Sequence, residues 1–186
     1  MIITISGDIG SGKSTTGKAL CKRLEYQYLS TGAIQRQIAE EMGLTTLELN
    51  KLTESRRDID DKIDGYTRAL NDVDENYIVD SRLAWHFIPS SYKVFLRCDE
   101  MVAAERISKD KERKSDEENR EVLHLLSKNQ DRRKSEASRF LDIYGINFEN
   151  LSNYNQVIDS SFFYPEEIVQ LIIDGIGHFY LEKKVL

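Results

Sequence analysis

Ile2-Ile3-Thr4-Ile5-Ser6-Gly7-Asp8-Ile9-Gly10-Ser11-Gly12-Lys13-Ser14 is the stretch from which the rest of the chain is read. Ile2 to Ile5 form a β-branched run that reads as a buried strand. Residues 15–24 carry Ala19, Leu20 and Leu24 at helical spacing. Between strand and helix lies G-x-x-x-x-G-K-[ST], from Gly7 to Ser14. Glycines let backbone N–H groups turn inward and form a nest for phosphate oxygens. The helix behind them points its positive dipole end at the same anion. Lys13 then supplies a mobile charge for the outer phosphates and Ser14 a hydroxyl for Mg²⁺. Gly7, Asp8, Ile9, Gly10, Ser11, Gly12, Lys13, Ser14 and Thr15 are therefore expected to hold a nucleoside triphosphate, with ATP the expected donor.

Composition narrows the class. The chain has 186 residues, enough for one domain with a sizeable core. A formal net charge of −6 argues against a general binder of polymeric nucleic acid, though a locally basic pocket remains compatible with it. Cys21 and Cys98 are far apart, and His86, His124 and His178 form no ligand cluster, so neither a disulfide framework nor a zinc site is expected. No apolar run approaches ~18 residues. The first residues read as a strand and not as a signal peptide. A soluble, cytoplasmic monomer without membrane association is the expectation.

Strand and helix patterns alternate along the chain. Tyr26-Gln27-Tyr28-Leu29 reads as a second strand, and Ser30-Thr31-Gly32 can cap a helix over 33–42, which Gly43 ends. Thr45 or Thr46 can cap a short helix to about 55, and Ile59, Ile63, Tyr66 and Leu70 share one face of a helix over 58–70. Three helices exceed what one crossover needs, so they read as an inserted flap. Further strands are expected at Tyr77-Ile78-Val79-Asp80, at 92–97 and at Gln156-Val157-Ile158-Asp159. Asp80 ends its strand in an acid, which suits a place in a Mg²⁺ shell; a helix cap is the alternative. A helix begins over 101–107, a nearly apolar-free segment over 108–119 reads as solvated, and a long helix follows over 121–144. Within it, Arg132 and Arg139 lie seven residues apart on one face and could grip one phosphate chain. A last helix starts at Pro165. Strands alternating with helices predict a three-layer α/β/α P-loop NTPase fold around a five-stranded parallel sheet.

Phosphoryl transfer needs a second anion site for the acceptor, and Arg36, Arg82, Arg132 and Arg139 are the candidates. At this point the sequence resembles the nucleoside monophosphate kinases, and among them the short, archaeal-type cytidylate kinases. The resembling pieces include Leu29-Ser30-Thr31-Gly32 with Arg36, Ile59 to Asp64, Ser81-Arg82-Leu83-Ala84-Trp85, Ala104-Glu105-Arg106-Ile107, Ser135-Glu136 with Arg139, and Tyr144-Gly145-Ile146. The resemblance implies an insertion for the acceptor over about 33–71 and a lid region over about 106–140. It implies that Thr31, Arg36, Asp64, Arg82, Arg132, Glu136 and Arg139 bind the acceptor, with Glu136 reaching its sugar and Asp64 lying near its base or ribose. Arg106 would lie over the donor's adenine ring, Ser14 and Asp80 would serve Mg²⁺, and Lys13, Arg132 and Arg139 would carry the transfer. The implied activity is ATP-dependent phosphorylation of CMP or dCMP. A kinase of another small phosphorylated acceptor, or an ATP-binding regulatory module, is the alternative. Five positions depart from the family's pattern: Ser81 stands where glycine is usual, Tyr66-Thr67 where an Arg-Gln-like pair is, Asp110 where a lid arginine is, and Arg133 where an acid is.

Overall fold

The computed structural model describes residues 1–53, 56–110 and 121–185. The β-branched run at its start is β1, Ile2–Gly7. β2 (Gln27–Ser30) and β3 (Tyr77–Asp80) extend the sheet on one side of it, and β4 (Tyr92–Arg97) and β5 (Gln156–Asp159) on the other. The five strands are parallel in the order β2-β3-β1-β4-β5.

Alternation along the strands sets the two faces. Ile3 and Ile5 of β1, Ile78 of β3 and Val94 and Leu96 of β4 are fully buried in one cluster with Leu20, Ile168 and Ile172. These last three come from α1 (Lys13–Leu24) and α8 (Pro165–Val185), which cover that face. Each such Ile or Leu contributes roughly 1.5–3 kcal/mol by leaving water. On the opposite face, Phe95 packs with Phe140, Phe148, Trp85 and Tyr154. Phe140 belongs to α7 (Val122–Tyr144), and α7 also meets α6 (Glu100–Lys109) through Leu125, Ala104 and Ile107.

Between β2 and β3 lie α2 (Thr31–Glu41), α3 (Thr46–Thr53) and α4 (Arg57–Arg68). They bury a cluster of their own, Ile38, Ala39, Leu49, Ile59 and Ile63, away from the sheet. Their starts are written in the sequence. The Ser30 hydroxyl accepts from the Ala33 N–H, and Thr45 and Glu48 cap one another reciprocally before α3.

Some elements differ from the sequence expectation. The helix expected to reach residue 70 ends at Arg68 and tightens into a 3₁₀ turn at Ala69–Asp72. The short helix α5 (Ala84–Phe87) and the 3₁₀ turns Leu151–Asn153 and Ser160–Phe162 were not expected, because such lengths show no period. Of the segment expected to be solvated, Ser108 and Lys109 complete α6, and 111–119 lie outside the described residues. No helix among the described residues is long and apolar enough to cross a membrane.

Candidate active site

The carboxyl ends of β1, β2 and β3 open on one cavity of about 460 Å³. Ile9, Gly10, Lys13 and Ser14 line it from the loop after β1, and Ser30, Thr31, Asp80, Ser81 and Arg82 from the ends of β2 and β3. Arg36, Asn50, Asp60 and Asp64 line it from the helices between β2 and β3, and Lys128, Arg132, Glu136, Arg139 and Tyr144 from α7.

The loop is built for an anion. Gly12 caps α1 with φ +84 and no side-chain hydrogen bond, and a Cβ there would meet no heavy atom within 4 Å. The first N–H groups of α1 therefore receive no side-chain cap from this residue. Lys13 folds back over the loop, donating from Nζ to the carbonyls of Gly7 (3.0 Å) and Asp8 (2.6 Å). The loop itself is anchored through Asp8, whose carboxylate accepts from the Cys98 N–H (3.0 Å) and pairs with Arg133 (3.0 Å). Arg133 also pairs with Glu149 at 2.5 Å, so the basic residue at this unusual position ties α7 to the loop.

Asp80 sits beside the loop, 6% exposed. Its Oδ2 accepts from Ser14 (2.6 Å), Tyr28 (3.1 Å) and Ser30 (3.5 Å). A serine hydroxyl next to a carboxylate is a hard oxygen donor set. Mg²⁺ takes one or two such protein ligands and completes its shell with water and phosphate. These residues fit that ion, and among the described residues no cluster of His, Cys, Asp and Glu could hold a metal alone.

Arginines line the other side. Arg82 donates to the Gly7 carbonyl (2.6 Å) and pairs with Glu136, which also pairs with Arg132 (2.9 Å). Burial alone would raise the Glu136 carboxyl; Arg82, Arg132 and Arg139 outweigh it and hold it at about 2. Arg139 donates to Thr53 and faces Asp60 at 3.9 Å. Arg36 is exposed and makes no hydrogen bond or ion pair with any described residue. Two further carboxylates, Asp60 and Asp64, lie one turn apart on α4. Burial pushes both up, against Arg139 for Asp60 and against the Tyr144 hydroxyl (2.5 Å) and Arg68 for Asp64.

Charge balance decides what the cavity suits. Seven basic side chains line it (Lys13, Arg36, Lys51, Arg82, Lys128, Arg132, Arg139) against five acids (Asp60, Asp64, Asp80, Asp131, Glu136). A chain of net charge −6 thus concentrates positive charge in one cleft, which fits a polyanionic ligand.

Most of the residues expected from the sequence meet in this cavity: Ile9, Gly10, Lys13, Ser14, Thr31, Arg36, Asp64, Asp80, Arg82, Arg132, Glu136 and Arg139. Gly7, Asp8, Ser11, Gly12 and Thr15 shape or flank the loop without lining it. Arg106 stands apart from it: its guanidinium donates to the Ser160 carbonyl (2.8 Å) and hydroxyl (3.4 Å). Both carboxylate oxygens of Glu136 are engaged, one by Arg82 and the other by Arg132. Tyr66 is 48% exposed, and neither it nor Thr67 lines the cavity, so that departure from the family's pattern leaves the lining unchanged. Asp110, where a lid arginine is usual, closes α6, and Lys111 and Arg113, which could substitute for that cation, lie outside the described residues. Sequence reasoning missed Asn50, Lys51, Asp60, Lys128 and Tyr144. Signals were present for three of them: Asp60 lies four residues before Asp64, Lys128 four before Arg132, and Tyr144 opens one of the resembling pieces.

A phosphate loop at the end of a central parallel strand, facing a bank of arginines, defines a P-loop kinase. A shikimate kinase from Bacteroides thetaiotaomicron shares the fold, with a TM-score of 0.64 at 16% identity over 95% of this chain and 98% of that one. The chain belongs to the cytidylate kinase-like family, which residues 2–162 match, and it is a nucleoside monophosphate kinase. It is 35% identical over 173 residues to the cytidylate kinase of Methanobrevibacter smithii, covering 93% of this chain and 96% of the relative. It is also 35% identical over 187 residues to that of Sulfurisphaera tokodaii, covering 100% and 99%.

Proposed function

We propose that the chain transfers the γ-phosphoryl group of ATP to CMP or dCMP, forming CDP or dCDP and ADP. The observation that carries this reading is one cavity with a donor loop on one side and arginines with two carboxylates on the other. Lys13 and the first N–H groups of α1 would hold the donor phosphates, and Ser14 and Asp80 would hold Mg²⁺, which would neutralise phosphate charge. Arg36, Arg132 and Arg139 would grip the acceptor phosphate. An oxygen of that phosphate attacks the γ-phosphorus in line; the new P–O bond forms as the bond to the β-phosphate oxygen breaks, and ADP leaves. No general base is required, because the attacking oxygen is already ionised at neutral pH. The residues' work is positioning and neutralising charge that spreads over the transferring group. The α2–α4 insertion and the lid region are proposed to close over both nucleotides and exclude water, which would otherwise take the phosphoryl group.

Base choice is assigned to Asp64. Its Oδ2 is taken by Tyr144, and its Oδ1 accepts no hydrogen bond from a described residue. Cytosine offers an exocyclic amino donor where uracil offers a carbonyl acceptor, and a carboxylate accepts from the first and repels the second. In Asp64→Asn, the side-chain amide can serve either base. The ratio of kcat/KM for CMP over UMP should fall by about 10–100-fold, the worth of a hydrogen bond to a charged group. Steady-state ADP release with the two acceptors measures it; an unchanged ratio would remove Asp64 from base selection.

A further inference from the structure

Tyr28 carries a role that neither the sequence motif nor the family resemblance assigns. It lies on β2, one strand removed from the phosphate loop, with its ring beneath α1. Gly17 makes this possible. A Cβ at position 17 would stand 2.8 Å from Tyr28 Cε2, closer than a side chain can come. Glycine inside a helix costs about 1 kcal/mol relative to alanine. Here that cost coincides with the passage of a ring under the second turn of α1. The ring carries its hydroxyl to Asp80 Oδ2 at 3.1 Å, on the same oxygen that Ser14 reaches at 2.6 Å. Ser30 adds a longer third contact at 3.5 Å, and the Thr31 hydroxyl donates to the Asp80 backbone carbonyl at 3.4 Å. Oδ2 is thereby fully engaged, and Oδ1 receives no hydrogen bond from a described residue.

We infer that Tyr28 is a positioning residue for the cation: by holding Asp80 Oδ2 together with Ser14, it fixes which carboxylate oxygen is left for Mg²⁺ and its waters. The inference rests on the reading of Ser14 and Asp80 as the cation's protein partners. Asp80 has one free torsion beyond its Cβ, and a single hydroxyl from Ser14 leaves it able to turn. Two donors arriving from different elements, α1 and β2, do not. Hydrogen-bonded partners of metal-binding carboxylates are worth about 10–100-fold in metal affinity through such orientation. Gly17 and Tyr28 form a matched pair in this account, since the small residue exists to admit the ring.

Tyr28→Phe tests it, because the ring stays beneath Gly17 and only the hydroxyl is lost. ATP affinity is measured by calorimetry for the wild-type protein and the variant, each with excess Mg²⁺ and each in EDTA. The expected result is that Mg²⁺ strengthens ATP binding to the wild type, and that this enhancement shrinks about tenfold in Tyr28→Phe while the affinity in EDTA stays within about twofold. An enhancement equal to the wild type's would overturn the positioning role and leave the hydroxyl as packing. A matching loss in EDTA would also overturn it, since the hydroxyl would then support the whole loop. Absence of any Mg²⁺ enhancement in the wild type would instead remove the cation site itself.

Discussion

Lys13→Ala is expected to lower kcat by at least about 10²–10³-fold while the protein unfolds at nearly the same temperature. The ammonium lies on the carbonyls of Gly7 and Asp8 and lines the cavity; in the proposed reading it turns from there to the donor phosphates and follows the transferring group. Removing one preorganised donor from a developing oxyanion costs about 2.7–4 kcal/mol of barrier, and a cation on a transferring phosphoryl group is worth as much or more. The fold has little to lose. Lys13 packs into none of the hydrophobic clusters, and the loop remains held by Asp8 through Cys98 and Arg133. A stability change within about 0.5 kcal/mol is therefore expected, as for other positions outside the core. ADP release under saturating substrates, with a thermal melt beside it, checks both halves. A near-native rate in a folded variant would separate the loop from the chemistry.

Glu136→Ala should do the opposite, harming the fold as well as the rate. Glu136 is 6% exposed and stands between Arg82 and Arg132, with Arg139 near enough to help lower its carboxyl to about 2 from an ordinary 4.5. Deleting it leaves Arg82, 16% exposed, without its counter-charge. Breaking a buried pair by removing one partner costs about 3–5 kcal/mol. For a protein of this size that lowers the melting temperature by roughly 6–20 °C. The sign with pH follows from the depressed value. The carboxylate's contribution is fully present above about 4.5, the unfolded value, and is lost as pH falls toward about 2. Glu136→Gln should therefore be less stable than wild type at neutral pH and lose less of its stability between those values. Melting temperatures taken from neutral pH down to pH 2 test this. Parallel acid limbs in the two proteins would show that Glu136 is not the group titrating there.

The loop side of the cavity was open to reading from the sequence because its residues are consecutive. Strand, glycines, Lys13 and Ser14 arrive in one stretch, and the backbone conformation they require is local. Capped helices were legible for the same reason, as at Ser30 and at Thr45 with Glu48. The arginine-lined side was legible only in part. Arg132 and Arg139 could be placed on one face of α7 by spacing, but Glu136 lies in a wholly polar run, 127–136, where no apolar period marks a buried position. Its burial is fixed by Arg82, which comes from the end of β3 some fifty residues earlier, and sequence alone carries no sign of that meeting. In the sequence Tyr28 shows nothing beyond an ordinary strand residue. Its hydroxyl gains meaning only once β2 lies next to β3 and brings it to Asp80. Arg106 was indicated by the resemblance alone; its guanidinium meets Ser160 and Cys98, and it is not among the residues that line the cavity.

This cavity is proposed to pass the γ-phosphoryl group of ATP to a cytidine monophosphate and release ADP. ADP release with Mg²⁺ and ATP, run against CMP, dCMP, UMP, AMP and GMP at equal concentrations, tests it most directly. The account predicts fastest turnover with CMP or dCMP, at least about tenfold above UMP, as expected where a buried carboxylate reads an amino group. Turnover led by UMP, AMP or GMP, or no ADP release with any of the five, would contradict it.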